Sequence, residues 1–246
     1  MRISGNDLMV LKLLNHDNEK FYSAFWQERI QEIEETIVDK DLDLDTFLDI
    51  PALNKCGLET NDENAALIQL SELKANSIDI DFLTPTNITH KYHLFRAGFP
   101  RELTGAFVEW GGGYGNVARL NKTILTNEYK HYIVDSPIMS LLQMAYLDEM
   151  NAKDNVEFVG TKIDYCVQSN NIDTFFATFS IDECTKECHD YLFSINFYGA
   201  RNVFIAMYPD KFQFPEAEGL YDRLLNAGFR EEPSAFPPSV YMVRND

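Results

Sequence analysis

Glycines at alternate positions behind an acidic residue are this chain's best-suited ligand-holding residues. They stand in Val108-Glu109-Trp110-Gly111-Gly112-Gly113-Tyr114-Gly115. Gly111, Gly113 and Gly115 let the backbone turn sharply and let a ligand approach closely. A helix opening near Gly115 would aim its free N–H groups at the same point. In an open α/β sheet, ligands bind beyond the carboxyl ends of the strands, so the end of an apolar run is the place for such a loop. Asp135 ends the next apolar run, about 20 residues past the last glycine, where Rossmann-type sites place an acid against ribose hydroxyls. Asp135 could instead cap the following helix, but Ser136 before Pro137 can do that and leave Asp135 to a ligand. A dinucleotide site wants G-x-G-x-x-G. Counted from Gly111 the third glycine falls on Asn116; counted from Gly113 it falls on Ala118, which some dinucleotide sites tolerate. A dinucleotide is thereby weakened and stays open.

The fuller pattern, acidic-x-Gly-x-Gly-x-Gly, resembles the first motif of class I S-adenosylmethionine (SAM) dependent methyltransferases. Glu109 to Arg119, Tyr132 to Pro137 and Ser180-Ile181-Asp182-Glu183 are similar to the sugar O-methyltransferases of bacterial surface-polysaccharide gene clusters. Members of that group carry E-x-G-x-G-Y-G, a strand ending in Asp, Leu and Pro, and Ser-x-x-Glu after the fourth strand. Ser136 stands here in place of the leucine. The resemblance covers roughly residues 100–210. It implies a methyl transfer from SAM to a hydroxyl of a sugar or sugar-containing acceptor, with S-adenosylhomocysteine as product. It also implies a cofactor site of Glu109, Gly111, Gly112, Gly113, Tyr114, Gly115, Asp135, Ser136, Phe179 and Ser180.

Such a transfer needs alignment and, for a hydroxyl acceptor, a positioned base. Glu183, Asp182 and His189 are the candidates. Asp182 and Glu183 would also be favourable as plain charges at a helix start. Tyr92, His93 and Arg96, with His90, lie in the polar aromatic run that precedes the glycine loop and are candidates for the acceptor; Arg96 suits a carboxylate or phosphate. Trp110 and Tyr114 flank the glycines as candidates for the adenine or sulfonium, or for the core. Cys184-x-x-x-Cys188-His189 is not a zinc site, since no second ligand pair exists, and no metal ligand is assigned. A divalent cation such as magnesium, which some sugar methyltransferases use, stays open without a motif.

The elements that must position these residues follow from periodicity. After Pro100, short apolar runs alternate with helical segments: strands at 106–110, 131–135, 156–159, 174–179 and 203–207, and helices at 115–125, 137–150, 182–193 and 216–227. Two late strands fall within 229–243. This predicts an α/β sheet, mostly parallel, with an antiparallel edge strand at the C-terminus; the resemblance implies that it is the Rossmann-like sheet of class I methyltransferases. Residues 1–100 read as an N-terminal helical cap, with helices at 8–14, within 18–38 and at 62–75 and a turn signal at Thr84-Pro85-Thr86-Asn87. The resemblance implies that residues 101–246 are a Rossmann-like SAM-binding domain.

The 246 residues are 45% hydrophobic and 13% aromatic, enough for a sizeable core. A formal net charge of −18 disfavours nucleic acid and an anionic membrane surface as partners. Four scattered cysteines, Cys56, Cys166, Cys184 and Cys188, fit a reducing compartment. No apolar leader or bilayer-length stretch is present, so a cytoplasmic location with no membrane insertion is expected. A homo-oligomer is compatible with all of this. The acceptor alternatives are a non-sugar small molecule, a lipid or a peptide. A non-catalytic SAM-fold binding module and a nicotinamide oxidoreductase are the functional alternatives.

Overall fold

A computed structural model describes residues 3–14, 20–41, 63–80, 83–125, 128–159, 171–209, 214–235 and 238–245. Cys56 and Cys166 lie outside them. The first hundred residues hold α1 (Gly5–Leu14), α2 (Ala24–Ile37), α3 (Glu63–Ala75) and α4 (Pro85–Arg96). Then follow β1 (Ala106–Trp110), α5 (Asn116–Ile124), β2 (His131–Val134), α6 (Pro137–Glu149), β3 (Val156–Val159), β4 (Ile172–Thr178), α7 (Lys186–Ser194), β5 (Asn202–Met207), α8 (Leu220–Asn226), β6 (Arg230–Pro233) and β7 (Val240–Asn245).

The sheet order is β3-β2-β1-β4-β5-β7-β6. Strands β1 to β5 pair in parallel, and β7 runs antiparallel to both β5 and β6. This is the Rossmann-like sheet expected. The antiparallel strand lies next to last, and β6 takes the outer position. Strand order reverses between β1 and β4, so the ligand crevice opens beyond Trp110 and Thr178.

Burial explains the layers. Val108, Trp110, Tyr132, Phe175 and Ala177 face Cys188, Leu192, Leu220 and Leu224 of α7 and α8. Phe107, Phe176 and Phe204 point the other way, against Ile88, Tyr92 and Leu94 of α4 and Val117 and Leu120 of α5. Ile33 and Ile37 of α2 and Leu8 of α1 pack with Ile138, Met139 and Leu142 of α6. The N-terminal helices therefore share the core of the sheet. No described helix is long and apolar enough to cross a membrane.

Three local outcomes differ from the sequence pattern. Thr84-Pro85 is a helix start, not a loop: Thr84 accepts from Asn87 N and Pro85 takes the first turn, where its missing N–H costs nothing. The helix expected from Asp182 begins only at Lys186, capped by Thr185. Cys184 is held instead in an antiparallel bridge with Tyr22, and Thr185 N donates to Phe21 O at 3.1 Å. The helix expected over 216–227 is split by Gly219 at φ +80°.

At the amino edge, Asp173 binds Arg101 Nη2 at 2.5 Å and accepts from Thr104 N at 2.9 Å and Thr104 Oγ1 at 2.8 Å. Burial alone would raise its carboxyl, but the Arg101 guanidinium and these donors outweigh that and hold it well below the usual range. Asp173→Ala is expected to cost about 3 kcal/mol, the low end for a broken buried pair because Arg101 is partly exposed. A depressed acid stabilises the fold above its unfolded value of 3.8. That contribution is lost as pH falls through the folded value. Denaturant midpoints of both proteins from pH 7 downwards would show the gap closing in acid.

Candidate active site

The three alternating glycines all adopt the left-handed backbone: Gly111 at φ +72°, Gly113 at +54° and Gly115 at +98°. Their surroundings differ. A Cβ on Gly111 would lie 2.4 Å from Ser180 Cβ, because the loop after β4 presses against the loop after β1. Ser180 Oγ seals that contact by donating to Trp110 O at 2.5 Å. A Cβ on Gly113 would meet no protein atom within 4 Å. Gly111 is thus required by the fold, and Gly113 borders the open crevice. Gly111→Ala is expected to destabilise by about 2–4 kcal/mol, from overpacking plus backbone strain. Gly113→Ala should cost only about 1 kcal/mol. Calorimetric melting of the two variants checks the order.

Asp135 follows β2 and is partly exposed. Its Oδ1 accepts from Ser136 N at 2.7 Å and its Oδ2 from Gln143 Nε2 at 2.7 Å. Burial pushes its carboxyl up to about 7, against the Ser136 N–H and the Gln143 amide, with the Glu109 carboxylate adding to the rise. Ser136 caps α6 by accepting from Met139 N, as expected from the sequence. Glu109 does not line the crevice. It is 3% exposed beneath the glycine loop, where His131 Nε2 donates to its Oε2 at 2.8 Å. Burial raises its carboxyl and His131 opposes the rise. Its place is to support the loop.

Beyond the loop lies a polar network that sequence reasoning did not assemble. Asn116 Nδ2 donates to Asn87 Oδ1 and to His90 Nδ1, each at 3.0 Å. Arg119 donates to Asn116 Oδ1 at 3.0 Å and to Asn87 Oδ1 at 2.7 Å. Tyr146 Oη donates to Asn116 Oδ1 at 3.3 Å, and Tyr114 stands edge-on to Tyr146. Burial and the nearby Arg119 hold His90 near 4, so its imidazole is neutral. The one legible signal was Asn116, which stands where a dinucleotide fingerprint has its third glycine.

At the end of β4, Phe179 adopts φ +54°, a strained conformation for an aromatic residue. Its ring lies against Tyr208 from the loop after β5. Asp182 is buried and accepts from Tyr208 N at 3.1 Å, which joins the two loops. Glu183 is half-buried, and its Oε2 accepts from Trp26 Nε1 of α2 at 2.6 Å. Phe25 and Phe214 stand beside that indole in an edge-to-face chain.

Several expected site residues lie elsewhere. His189 is buried with Nε2 donating to Ile181 O at 2.8 Å; its proton is committed to the loop, and burial lowers its basicity. His93 is a core imidazole among Phe179, Phe204 and Tyr241, pushed down to about 3 by burial and by His90. Tyr92 Oη donates to Glu72 Oε2 at 2.6 Å. Arg96 pairs with Glu232 at 2.9 Å, beside Asn202 at the amino end of β5. Both contacts tie α4 to neighbouring elements, Tyr92 to α3 and Arg96 to β6. Trp110 is a core residue against Phe175.

The chain is similar to solved SAM-dependent methyltransferases. One from Aquifex aeolicus is 17% identical, covers 82% of this chain and 99% of its own, and gives a TM-score of 0.49. The SAM-bound magnesium protoporphyrin IX methyltransferase of Synechocystis PCC 6803 is 14% identical, with 97% of each chain covered and a TM-score of 0.46. An rRNA methylase from Streptococcus thermophilus is 14% identical over 64% of this chain and 95% of its own, with a TM-score of 0.47. At that level these likenesses carry no weight for the site, whose chemistry rests on its own residues. No protein-family model matches the chain, and no curated protein matches it.

Proposed function

We propose that the chain is a SAM-dependent O-methyltransferase acting on a hydroxyl of a sugar or sugar-containing acceptor. The observation that carries this is a convergence at the switch point. The glycine loop is open at Gly113, Asp135 ends the neighbouring strand, and a carboxylate, Glu183, lies past β4. The donor set fits a nucleoside. A carboxylate at Asp135 accepts from ribose hydroxyls, and the space at Gly113 admits the ligand backbone. When bound, SAM supplies a methyl group on a sulfonium that is already a good leaving group.

The chain's own residues do the rest. The loop and Asp135 hold the donor in one orientation, which is where most of the rate enhancement of an in-line transfer arises. Glu183 accepts the proton of the acceptor hydroxyl, and Trp26 fixes its carboxylate. The aromatic rings of Phe25 and Trp26 offer apolar faces beside it, as a pyranose ring requires. In this reading α2, from the N-terminal hundred residues, forms part of the acceptor side.

Incubation with labelled SAM and a panel of nucleotide sugars, oligosaccharides, lipids and peptides tests the acceptor. Label on a sugar hydroxyl is expected; label only on non-sugar acceptors contradicts the sugar assignment.

A pH dependence follows from Asp135. Its carboxyl lies at about 7, raised by burial, and only the ionised form accepts from both ribose hydroxyls. Affinity for S-adenosylhomocysteine is therefore expected to be full above neutrality and to fall about tenfold per unit as pH drops below that value. Isothermal calorimetry at pH 8 and pH 6 measures it.

A further inference from the structure

We infer that Gln143 is the positioning residue of the donor site: its side-chain amide ties the glycine loop to Asp135 and so sets the affinity for the donor. This rests on the SAM reading above. Gln143 lies in α6, fully buried, and its Nε2 donates to Gly113 O at 2.9 Å and to Asp135 Oδ2 at 2.7 Å. One amide nitrogen thus binds the loop and the acid together. Gly113 is the glycine that borders the crevice, so both ends of this bridge are ligand-facing residues.

The loop is shaped to reach that amide. A Cβ on Gly112 would lie 3.2 Å from Gln143 Nε2, and one on Gly115 would lie 3.6 Å from Gln143 Cα and 3.3 Å from Leu147 Cγ. Side chains at either position would lift the loop off α6. Gly112, whose purpose the motif alone leaves unexplained, and Gly115 are the residues that let the backbone lie on the helix.

Apolar packing does not account for a glutamine here. The neighbouring face of α6, Met139, Leu142 and Leu147, is apolar core. Gln143 Oε1 is buried with no hydrogen-bond partner among the described residues. A buried unsatisfied carbonyl is a cost that an apolar side chain of the same size would avoid. What the amide adds is a fixed distance between Gly113 and Asp135. It also favours the ionised form of Asp135 by donating to it. The other groups that face Asp135 among the described residues are the Ser136 and Gly112 backbone N–H groups and the Glu109 carboxylate, itself held by His131.

Gln143→Met keeps the volume and removes the amide. The expected result is an affinity for S-adenosylhomocysteine at least about tenfold weaker at pH 8, the scale of one hydrogen bond to a charged group, in a chain that still unfolds in one cooperative transition. The pH below which binding weakens should also move up, a shift that a purely structural residue would not produce. Gln143→Glu puts an acceptor where the donor was, beside a second carboxylate, and should lose binding at pH 8. Parent affinity and parent pH dependence in Gln143→Met, or parent affinity at pH 8 in Gln143→Glu, would overturn the role of Gln143 alone. A parent protein that binds no S-adenosylhomocysteine would overturn the donor assignment itself.

Discussion

Glu183→Gln is expected to lower kcat by about two to four orders of magnitude, the range supplied by a positioned general base, and to leave the affinity for S-adenosylhomocysteine unchanged. Glutamine has nearly the shape of glutamate and still offers an oxygen to Trp26 Nε1, so the contact between α2 and the loop after β4 survives. What is lost is the capacity to take a proton. The limb of the kcat profile that reports ionisation of the base should vanish with it. Trp26→Phe keeps the carboxylate and removes its donor, so a smaller loss of about tenfold is expected, in kcat more than in KM. Asp182→Asn gives the contrast: Asp182 is buried against Tyr208 N, so its replacement should act on stability first. A Glu183→Gln enzyme within about threefold of the parent kcat would remove Glu183 from the chemistry.

Asp135→Ala is the second large effect. In the proposed donor site the substitution would remove two hydrogen bonds to a charged acceptor, each worth about 1.5–3 kcal/mol. Affinity for S-adenosylhomocysteine should fall at least about 100-fold. The fold should not weaken in parallel. Burial raises the Asp135 carboxyl to about 7, so its ionised form is disfavoured in the folded chain, and alanine relieves that above neutrality. Thermal unfolding at pH 8 should therefore show an unchanged or higher midpoint beside the lost binding. Loss of both together would mean that Asp135 serves the fold.

What was legible in the sequence was local. The glycine register, the acid after β2, Ser136 as a cap and the apolar strand runs each depend on residues a few positions apart. The contacts that complete the site are distant. Trp26 and Glu183 are 157 positions apart and meet where Tyr22 bridges Cys184 and Thr185 N donates to Phe21 O. Gln143 reads as one more residue of an amphipathic helix until the loop is laid on it. The run from His90 to Arg96 could not show its direction in a sequence. As helix α4 it sets His90 against Asn116 and pairs Tyr92 and Arg96 with Glu72 and Glu232, partners far away in the sequence. His189 sits on a helix that starts four residues later than its pattern suggested, because Cys184 and Thr185 pair with the N-terminal segment instead.

Titration calorimetry of the protein with S-adenosylhomocysteine at pH 8, with NAD as the control, tests the central claim most directly. Saturable one-to-one binding of S-adenosylhomocysteine and none of NAD is the expected result. No heat at millimolar S-adenosylhomocysteine, or binding of NAD in its place, would contradict it.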